Sequence, residues 1–464
     1  MKLRRPALIV AAYVAFGIAI FVARPQATPG PLARDFEAYW SAGATFDKHA
    51  DPYTVSIWND ERTVPGVDAR SEGPLPFVGP PATLFWWGLE ARVRYAAAAP
   101  WWLLLLCCAL GGLLLVSLRG ARASVNAGNG LAAVALAISF NPITSDLALG
   151  QFAIVAAFGA GLLVVAKRTL PATIGSVLAF AQPNVLPALL SQLSRKRSII
   201  AMAIAVALTY LLGAMVAGWN WIGTYATLLA AHGDAERYSA IQMTPAAIAF
   251  GFGAPPRIAL LIAILVAAAA VVCAIAIAKR TTAFPRFAAF AALAPFVSGF
   301  WHEHDLVMAF PAVIWCALRP APRLRAIALL GTLLVAINWL GLAQHPGGIV
   351  QSALLAVAAW CAFNALCGHA FNRAIGYATA AGVAFFAVAA LLAIAHPAPV
   401  WPVAMHAIAL PPNASIAQLW AAQQEATGLN RPVATWALLR ALPLTGCALL
   451  AYAICSRSAY YRTA

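Results

Sequence analysis

Residues 7–23 read ALIVAAYVAFGIAIFVA, an unbroken apolar run that is long enough to cross a bilayer as a single helix. Runs of about 17 to 22 residues with the same character recur along the whole chain. Hydrophobic residues make up 62% of the sequence and charged residues 10%, and mean hydropathy is +0.80, whereas soluble domains are usually about 25% charged. The run lengths exclude a strand-built barrel. The sequence therefore predicts an all-α polytopic membrane protein that forms one membrane domain over residues 1–464.

The basic residues stand in short clusters between the apolar runs. Their excess gives a net charge of +15, which can indicate nucleic-acid binding, but clusters beside spans are what the positive-inside rule expects of cytoplasmic loops. We therefore expect a lipid bilayer as partner and no nucleic acid. The eight cysteines lie almost wholly in apolar segments without a CxxC pair. They read as buried hydrophobes and indicate no metal centre or disulfide framework.

The alternation of charge predicts a topology. Lys2, Arg4 and Arg5 precede the first run, so we expect an uncleaved signal anchor with a cytoplasmic N-terminus. Keeping the later basic clusters inside requires about twelve spans and places both termini in the cytoplasm. The spans are expected near residues 7–23, 100–118, 129–145, 150–166, 198–218, 258–278, 286–300, 305–318, 326–343, 349–367, 374–395 and 435–455.

The apolar segment 170–194 has basic residues at both ends, Lys167-Arg168 before it and Arg195 to Arg197 after it. Both ends are therefore expected on the cytoplasmic side, which predicts a broken hairpin that turns near Gln182-Pro183-Asn184. Proline and polar residues at membrane depth are tolerated where they line an enclosed cavity. The alternative, one kinked span, would reverse the topology of everything that follows.

The chain is poor in acids, with 15 Asp and Glu in all, and the predicted topology places several of them on the outer face. Two long external segments are expected, 24–99 and the Pro-rich 396–434. In the first, aromatic residues at near-helical spacing between Phe36 and Phe46 predict a short interfacial helix. Asp35, Glu37, Asp146, the 232–237 loop and the cluster from His302 to Asp305 then share the outer side.

Acids and imidazoles on one membrane face suggest catalysis. Asp35 or Glu37 could act as a general base toward an attacking hydroxyl, although a solvated loop acid is the simpler interpretation of each. His302 or His304 could bind an anionic group. Two histidines at a spacing of two, with acids between and after them, also suit zinc or manganese, but this spacing in a loop is weak support, and we predict no metal and no other cofactor. Arg237 could hold a phosphate or face lipid headgroups.

Five short motifs, in order, are similar to those of a known family. They are Asp35-Phe36-x-x-Tyr39-x-x-Ala42 closing on Pro52-Tyr53, Val78-x-Pro80-Pro81, Gly150-Gln151-Phe152, the Gly-containing stretch from Gly175 to Pro183, and Phe300-Trp301-His302-Glu303-His304. In this order they resemble the polyprenyl-phosphate-mannose-dependent mannosyltransferases of glycosyltransferase family 87, in the C-type superfamily. The resemblance covers about the first 320 residues. One position departs from it, because Gln182 stands where the family often has lysine before the proline.

The resemblance implies inverting transfer of mannose or another hexose from a polyprenyl-phosphate donor to an acceptor hydroxyl. The acceptor would be a glycolipid, a polysaccharide or a protein. Asp35 would be the catalytic base at the outer face. Such enzymes need no nucleotide-sugar fold, in agreement with the lack of a Rossmann-type glycine fingerprint. We also expect the substrates to contact seven polar or charged residues, which are Glu37, Tyr39, Gln151, Gln182, Arg237, His302 and His304.

Two other functions fit an apolar chain of this kind. A transporter or lipid flippase would place polar residues near the middle of several spans, whereas here they gather at the outer ends. An inactive glycosyltransferase-like partner is the other alternative, and Gln182 is the residue that favours it. The abundance of Ala, Arg and Pro suggests a GC-rich bacterium, and hence an inner membrane whose outer face meets the periplasm.

Overall fold

The computed structural model describes residues 5–23, 30–68, 73–319, 322–368, 372–400, 411 and 414–460. Across these ranges the secondary structure is helical, and extended backbone pairing is confined to an isolated bridge between Thr54 and Ser415. The all-α prediction is therefore confirmed. In chain order the α-helices are α1 Arg5–Val22, α2 Phe36–Asp47, α3 Trp58–Glu61, α4 Pro81–Ala91, α5 Tyr95–Gly120, α6 Ala127–Ile138, α7 Asn141–Leu149, α8 Ala153–Val165, α9 Thr169–Phe180, α10 Leu186–Leu189, α11 Lys196–Ala217, α12 Trp221–Glu236, α13 Pro245–Gly251, α14 Pro256–Arg280, α15 Ala283–Val297, α16 Phe310–Leu318, α17 Pro322–Ala336, α18 Trp339–Gln344, α19 Ile349–Cys367, α20 Arg373–Ala395, α21 Ile416–Thr427 and α22 Ala434–Tyr460.

Seven helices in the described ranges are long and apolar enough to cross a membrane, and the number rises to nine if each of two bent helix pairs is one span. The polytopic membrane class is thus confirmed, while the count of about twelve stays a prediction. Four further apolar helices are shorter, over Ala153–Val165, Ala283–Val297, His304–Leu318 and Leu324–Ala336.

Some of the predicted continuous spans are divided. The stretch expected as 129–145 consists of α6 and α7, which are bent by 68°. The stretch expected as 326–343 ends its first helix at Ala336 and begins α18 at Trp339, because Asn338 accepts a hydrogen bond from the Gly341 N–H and so starts a new helix. Hydropathy cannot reveal such breaks, because the residues on both sides are equally apolar.

The segment expected to form a broken hairpin does turn sharply. The axis changes by 117° between Thr169–Phe180 and Pro183–Gln192. Gln182 is extended immediately before Pro183, as expected for a residue that proline excludes from the helical region. Close packing of Gly159 on Gly175 fixes α8 against α9, since a Cβ on Gly159 would lie 2.6 Å from the Gly175 carbonyl oxygen. Which side of a membrane each end faces stays a prediction.

A cluster of aromatic rings holds the start of α2. The Phe36 ring is fully buried and stacks on Trp102 at a centroid distance of 5.7 Å, while Trp102 meets Trp87 edge to face at 5.2 Å. A Cβ on Gly43 would lie 2.1 Å from the Trp87 carbonyl oxygen, so α2 lies directly on α4. The helix predicted from the aromatic spacing is therefore anchored by the residue that follows Asp35.

The predicted second external segment, 396–434, contains α21, and its residues 401–410 and 412–413 lie outside the described ranges. Ser415 begins α21 with a reciprocal capping box to Gln418. The Ile416 N–H donates to the Tyr53 carbonyl at 3.1 Å. The amide of Gln423 donates to the Pro74 carbonyl at 3.1 Å. The end of the chain is therefore packed on the first predicted external segment.

One buried arginine ties the last long helix to the turn that follows α12. Arg440 of α22 is 2% exposed. Its guanidinium donates to the carbonyls of Ser239 and Gln242 at 2.7 and 3.0 Å. A charge at this depth is costly unless such groups satisfy it, so the pairing fixes residues 239–242 against α22.

Candidate active site

A cavity of about 700 Å³ lies among α2, α4, α7, α12, α18, α21, the turn 181–184 and the segment 298–305. It is lined by all but one of the residues expected from the sequence to act on substrate. Those that line it are Asp35, Tyr39, Gln151, Gln182, Arg237, His302 and His304. Residues separated by more than 260 positions therefore share one chamber.

Asp35 is placed by a tight junction with the Gly-Gln motif. Its backbone N–H donates to the Leu149 carbonyl at 2.7 Å. Gly150 ends α7 in the left-handed region at φ 73°, and its carbonyl accepts from the Trp102 indole at 2.8 Å. Ala33 is itself left-handed at φ 56°. Two turns of this kind pack on each other, which aims the side chain of Asp35 at the cavity.

Asp35 is the residue that precedes the first turn of α2, but its carboxylate makes no capping hydrogen bond to that helix. Instead its Oδ2 accepts from the Gln151 amide nitrogen at 2.5 Å, and the Tyr39 hydroxyl donates to the Gln151 Oε1 at 2.6 Å. Burial raises the pKa of Asp35, against the opposing effects of the Gln151 hydrogen bond and the Arg34 charge. Among the described residues none donates to the other carboxylate oxygen, Oδ1, which is left for a substrate.

Replacing Gly150 with alanine is expected to destabilise the protein and reduce its activity. The left-handed conformation costs an alanine about 1–2 kcal/mol, and the new Cβ would lie 2.6 Å from the Cβ of Ala33. The melting temperature in detergent and the activity should both fall, because the turn that carries Asp35 must shift. Gly130→Ala is the matched control, since a Cβ there meets nothing within 4 Å. Equal behaviour of the two variants would contradict the assigned role of Gly150.

Glu37 does not line the cavity. Its side chain is 1% exposed and lies 3.6 Å from the guanidinium of Arg34. Residues two apart on a helix point in widely different directions, so Asp35 faces the cavity while Glu37 faces the protein interior. The geometry therefore gives no support to the predicted contact between Glu37 and a substrate.

The opposite wall is organised around Asp305. Its Oδ1 accepts from the side-chain amide of Gln182. Its Oδ2 accepts from the side-chain amide of Asn184 at 3.1 Å and from the backbone N–H of His302 at 2.9 Å. Gln182 therefore donates a hydrogen bond where the family resemblance leads one to expect a lysine. The turn after α9 is fixed to the segment after α15 by these bonds.

His302 is the imidazole with the clearest charged partner. Its Nε2 lies 2.6 Å from the Oε1 of Glu236, a carboxylate to which it can only donate, and 2.9 Å from the side-chain amide nitrogen of Gln242. Burial acts to lower the pKa of His302, but the adjacent Glu236 carboxylate outweighs it, and the pKa is raised overall. The His302 side chain remains 19% exposed, so its imidazole lines the cavity. Asp35 and His302 are close enough for their charges to interact.

The other expected residues also line the cavity, with different surroundings. His304 lies 3.9 Å from Asp305, beyond hydrogen-bond reach. Arg237 pairs with Asp234 of α12. Glu303 accepts from the Asn141 amide, and burial raises its pKa to about 8, so at neutral pH it is mostly a neutral acid that can donate to a hydroxyl.

The side-chain donor atoms of His302, His304 and Asp305 lie within 4.8 Å of one another, a spacing that a metal ion could bridge. However, Glu236 already occupies the Nε2 of His302, and three hydrogen bonds already occupy both oxygens of Asp305. A metal would have to reach His302 through Nδ1 and share Asp305 with these partners. The expected absence of a metal stays a prediction for this cluster.

The structure adds residues that sequence reasoning did not single out. Asn184, Glu236 and Gln242 place the functional side chains, and Trp420 lines the cavity from α21. Asp146, by contrast, is buried and accepts from the Ile154 N–H at 2.9 Å, where it serves the start of α8. For Glu236 the signal was its place in a short acidic loop of an acid-poor chain.

Comparison with known proteins agrees with the site. Residues 77–299 match the model of glycosyltransferase family 87, a range that holds Gln151, Gln182 and Glu236. No curated protein and no solved structure matches the chain. The match covers four of the elements that wall the cavity, and it agrees with the family that the ordered motifs resemble. Residues 77–299 of this chain thus match glycosyltransferase family 87, and the protein is a membrane glycosyltransferase.

Proposed function

We propose that the protein transfers a hexose, with mannose as the first candidate, from a polyprenyl-phosphate carrier to an acceptor hydroxyl, with inversion. The observation that carries this proposal is the pairing of two unlike groups across one cavity. Asp35 is a carboxylate with one oxygen left for substrate, and His302 is an imidazole held beside a buried carboxylate. Attack by the acceptor hydroxyl needs a base, and departure of the phosphate needs a group that stabilises negative charge.

Asp35 would act on the acceptor. Its free oxygen takes the proton of the acceptor hydroxyl while that oxygen bonds to the anomeric carbon. The bond between the anomeric carbon and the phosphate oxygen breaks on the opposite face of the sugar, so the configuration inverts. The elevated pKa of Asp35 makes the carboxylate a stronger base than an exposed aspartate.

His302 would act on the departing phosphate. The donor is a phosphodiester with one negative charge, and the carrier leaves as a phosphate monoester with a second charge developing on the cleaved oxygen. A cation placed where charge develops stabilises the transition state more than the ground state. Polar neighbours in the cavity, such as Glu303 and Asn184, are positioned to meet sugar hydroxyls, and Tyr39, Gln182, His304 and Arg237 complete the proposed substrate contacts.

A lipid-linked donor suits the location of the site. The described helices offer no nucleotide-binding sheet, and the cavity opens among helices of a membrane protein. The proposed setting is the periplasmic face of a bacterial inner membrane. The acceptor would be a glycolipid, a polysaccharide or a protein. Gln182 donates to Asp305 and so retains a donor at the family's lysine position, which supports an active enzyme over an inactive partner.

The donor test uses purified protein in nanodiscs with radiolabelled polyprenyl-phosphate mannose, then glucose, and a membrane extract as acceptor source. We expect release of polyprenyl phosphate together with a labelled product of inverted anomeric configuration. Transfer from a nucleotide sugar but from no polyprenyl-phosphate hexose would contradict the proposed donor. Movement of intact carrier across vesicles without bond cleavage would favour the flippase alternative.

The proposed outer location of the site predicts the labelling of single cysteines in intact cells. Asp51 and Lys196 are both exposed, and they lie on opposite sides in the predicted topology. In a background without the native cysteines, Asp51→Cys should react with an impermeant maleimide and Lys196→Cys should react only after lysis. The reverse pattern would show that the site faces the cytoplasm.

A further inference from the structure

Glu236, the last residue of α12, is a fully buried acid. Within the described residues its two carboxylate oxygens each lie near an imidazole. Its Oε1 lies 2.6 Å from His302 Nε2, and its Oε2 lies 3.5 Å from His232 Nε2. The indole N–H of Trp420 also stabilises the charge of this carboxylate. His302 therefore donates to this acid in the wall of the cavity, and His232 and Trp420 lie beside it.

Such an acid is expensive to bury. An ionised carboxylate without a partner would be protonated instead, and charge-assisted hydrogen bonds are what keep it ionised. Burial acts to raise the pKa of Glu236, yet the charge and hydrogen bond of His302 lower it overall. The carboxylate and the imidazole thus stabilise each other as an ion pair.

The main chain at His302 is held without Glu236. The Trp301 N–H donates to the Oε1 of Gln242 at 2.8 Å, and the Met243 N–H donates to the Trp301 carbonyl at 2.7 Å. Arg440 in turn fixes the carbonyl of Gln242. Glu236 and the side-chain amide of Gln242, which lies 2.9 Å from the His302 Nε2, therefore act on the ring of His302, and removal of the carboxylate leaves the backbone contacts in place.

We propose that Glu236 is a positioning residue that orients the His302 ring and keeps it cationic toward the leaving phosphate. With Nε2 pinned by Glu236, Nδ1 is the ring nitrogen that remains for the phosphate. This inference rests on the proposed function for the identity of the anion, but the protonation of His302 is a property of the protein alone. A carboxylate that fixes the orientation of a catalytic imidazole is a known arrangement in other enzymes.

Other charged groups also face His302 and set the background of the test. Two acids interact with it, Asp35 ahead of α2 and Asp305, which follows His302 in the chain. Two further imidazoles also interact with it, His232 of α12 and His304. Of the acids, Glu236 alone makes a hydrogen bond to the ring, so it should dominate.

The first test needs no variant and no substrate. Diethyl pyrocarbonate modifies neutral imidazole, so the pH midpoint of modification at each histidine, followed by mass spectrometry of the digested protein, reports its protonation. We expect a midpoint for His302 that is higher than the one measured in the same digest for His49, whose side chain is exposed. A His302 midpoint at or below that of His49 would overturn the proposal.

The second test replaces the charge and keeps the shape. In Glu236→Gln the His302 midpoint should fall by about one pH unit or more, and the alkaline limb of the transfer rate should move to lower pH with kcat reduced more than KM is changed. Glu425→Gln, an exposed acid of α21, is the control and should leave both unchanged. An unmoved His302 midpoint in a folded Glu236→Gln protein refutes the role of Glu236. A moved midpoint without transfer from any lipid-phosphate sugar would instead fault the proposed function alone.

Discussion

Asp35→Asn is expected to lower the rate of sugar transfer by about 10²- to 10⁴-fold, the usual contribution of a general base. Asparagine keeps the size of the side chain and an oxygen that can accept from the Gln151 amide, so the hydrogen bond at 2.5 Å has a replacement and the fold should persist. What is lost is the ability to take a proton. The measurement is kcat with a polyprenyl-phosphate hexose, at a pH where the wild-type enzyme is fully active.

The pH dependence offers a second view of the same group. Because burial raises the pKa of Asp35, the carboxylate becomes protonated at a higher pH than an exposed aspartate, for which the value is about 3.9. The acidic limb of kcat/KM should therefore lie above that value, with activity lost as pH falls through it. Asp51→Asn, in an exposed acid of the same predicted segment, should retain the wild-type rate and limb. Full transfer by Asp35→Asn would remove Asp35 from the mechanism.

The residues that the sequence could identify are those whose signal is local. Asp35 stood out as an acid close to an apolar helix, and Gln151 and His302 fell in short motifs, so a single chain sufficed to name them. The prediction that these residues lie on the same side of the membrane rested only on the alternation of charge along the chain. The structure brings them into one cavity, although it does not by itself assign their roles.

The residues that the sequence could not identify act through long-range contacts. Arg440 lies in an apolar helix, where a lone arginine is equally consistent with a headgroup contact, and only the fold places it on the carbonyls of Ser239 and Gln242. Glu236 falls in the 232–237 loop of the predicted topology, and only the fold brings its carboxylate to the ring of His302. Glu37 shows that closeness in sequence can also mislead. It is two residues from Asp35, but the helix turns its side chain away from the cavity.

His302→Gln is expected to reduce kcat by about 10²- to 10³-fold, the usual cost of removing one group that stabilises developing negative charge. The Michaelis constant for the donor should change far less, because the charge that His302 meets is greatest in the transition state. His304→Gln is the comparison that separates charge from shape. Its imidazole also lines the cavity, but its nearest carboxylate contact among the described ion pairs is 3.9 Å away, so no ionic hydrogen bond keeps it cationic.

A larger loss of kcat in His304→Gln than in His302→Gln would transfer the phosphate role to His304. The decisive comparison is a double variant. If Glu236 acts only through His302, then adding Glu236→Gln to His302→Gln should cost nothing further in kcat, whereas independent roles would multiply the two losses. Non-additivity of this kind cannot arise from general destabilisation, which would accumulate in the double variant. The cycle therefore distinguishes a carboxylate that tunes one imidazole from a carboxylate that merely fills the space beneath the cavity.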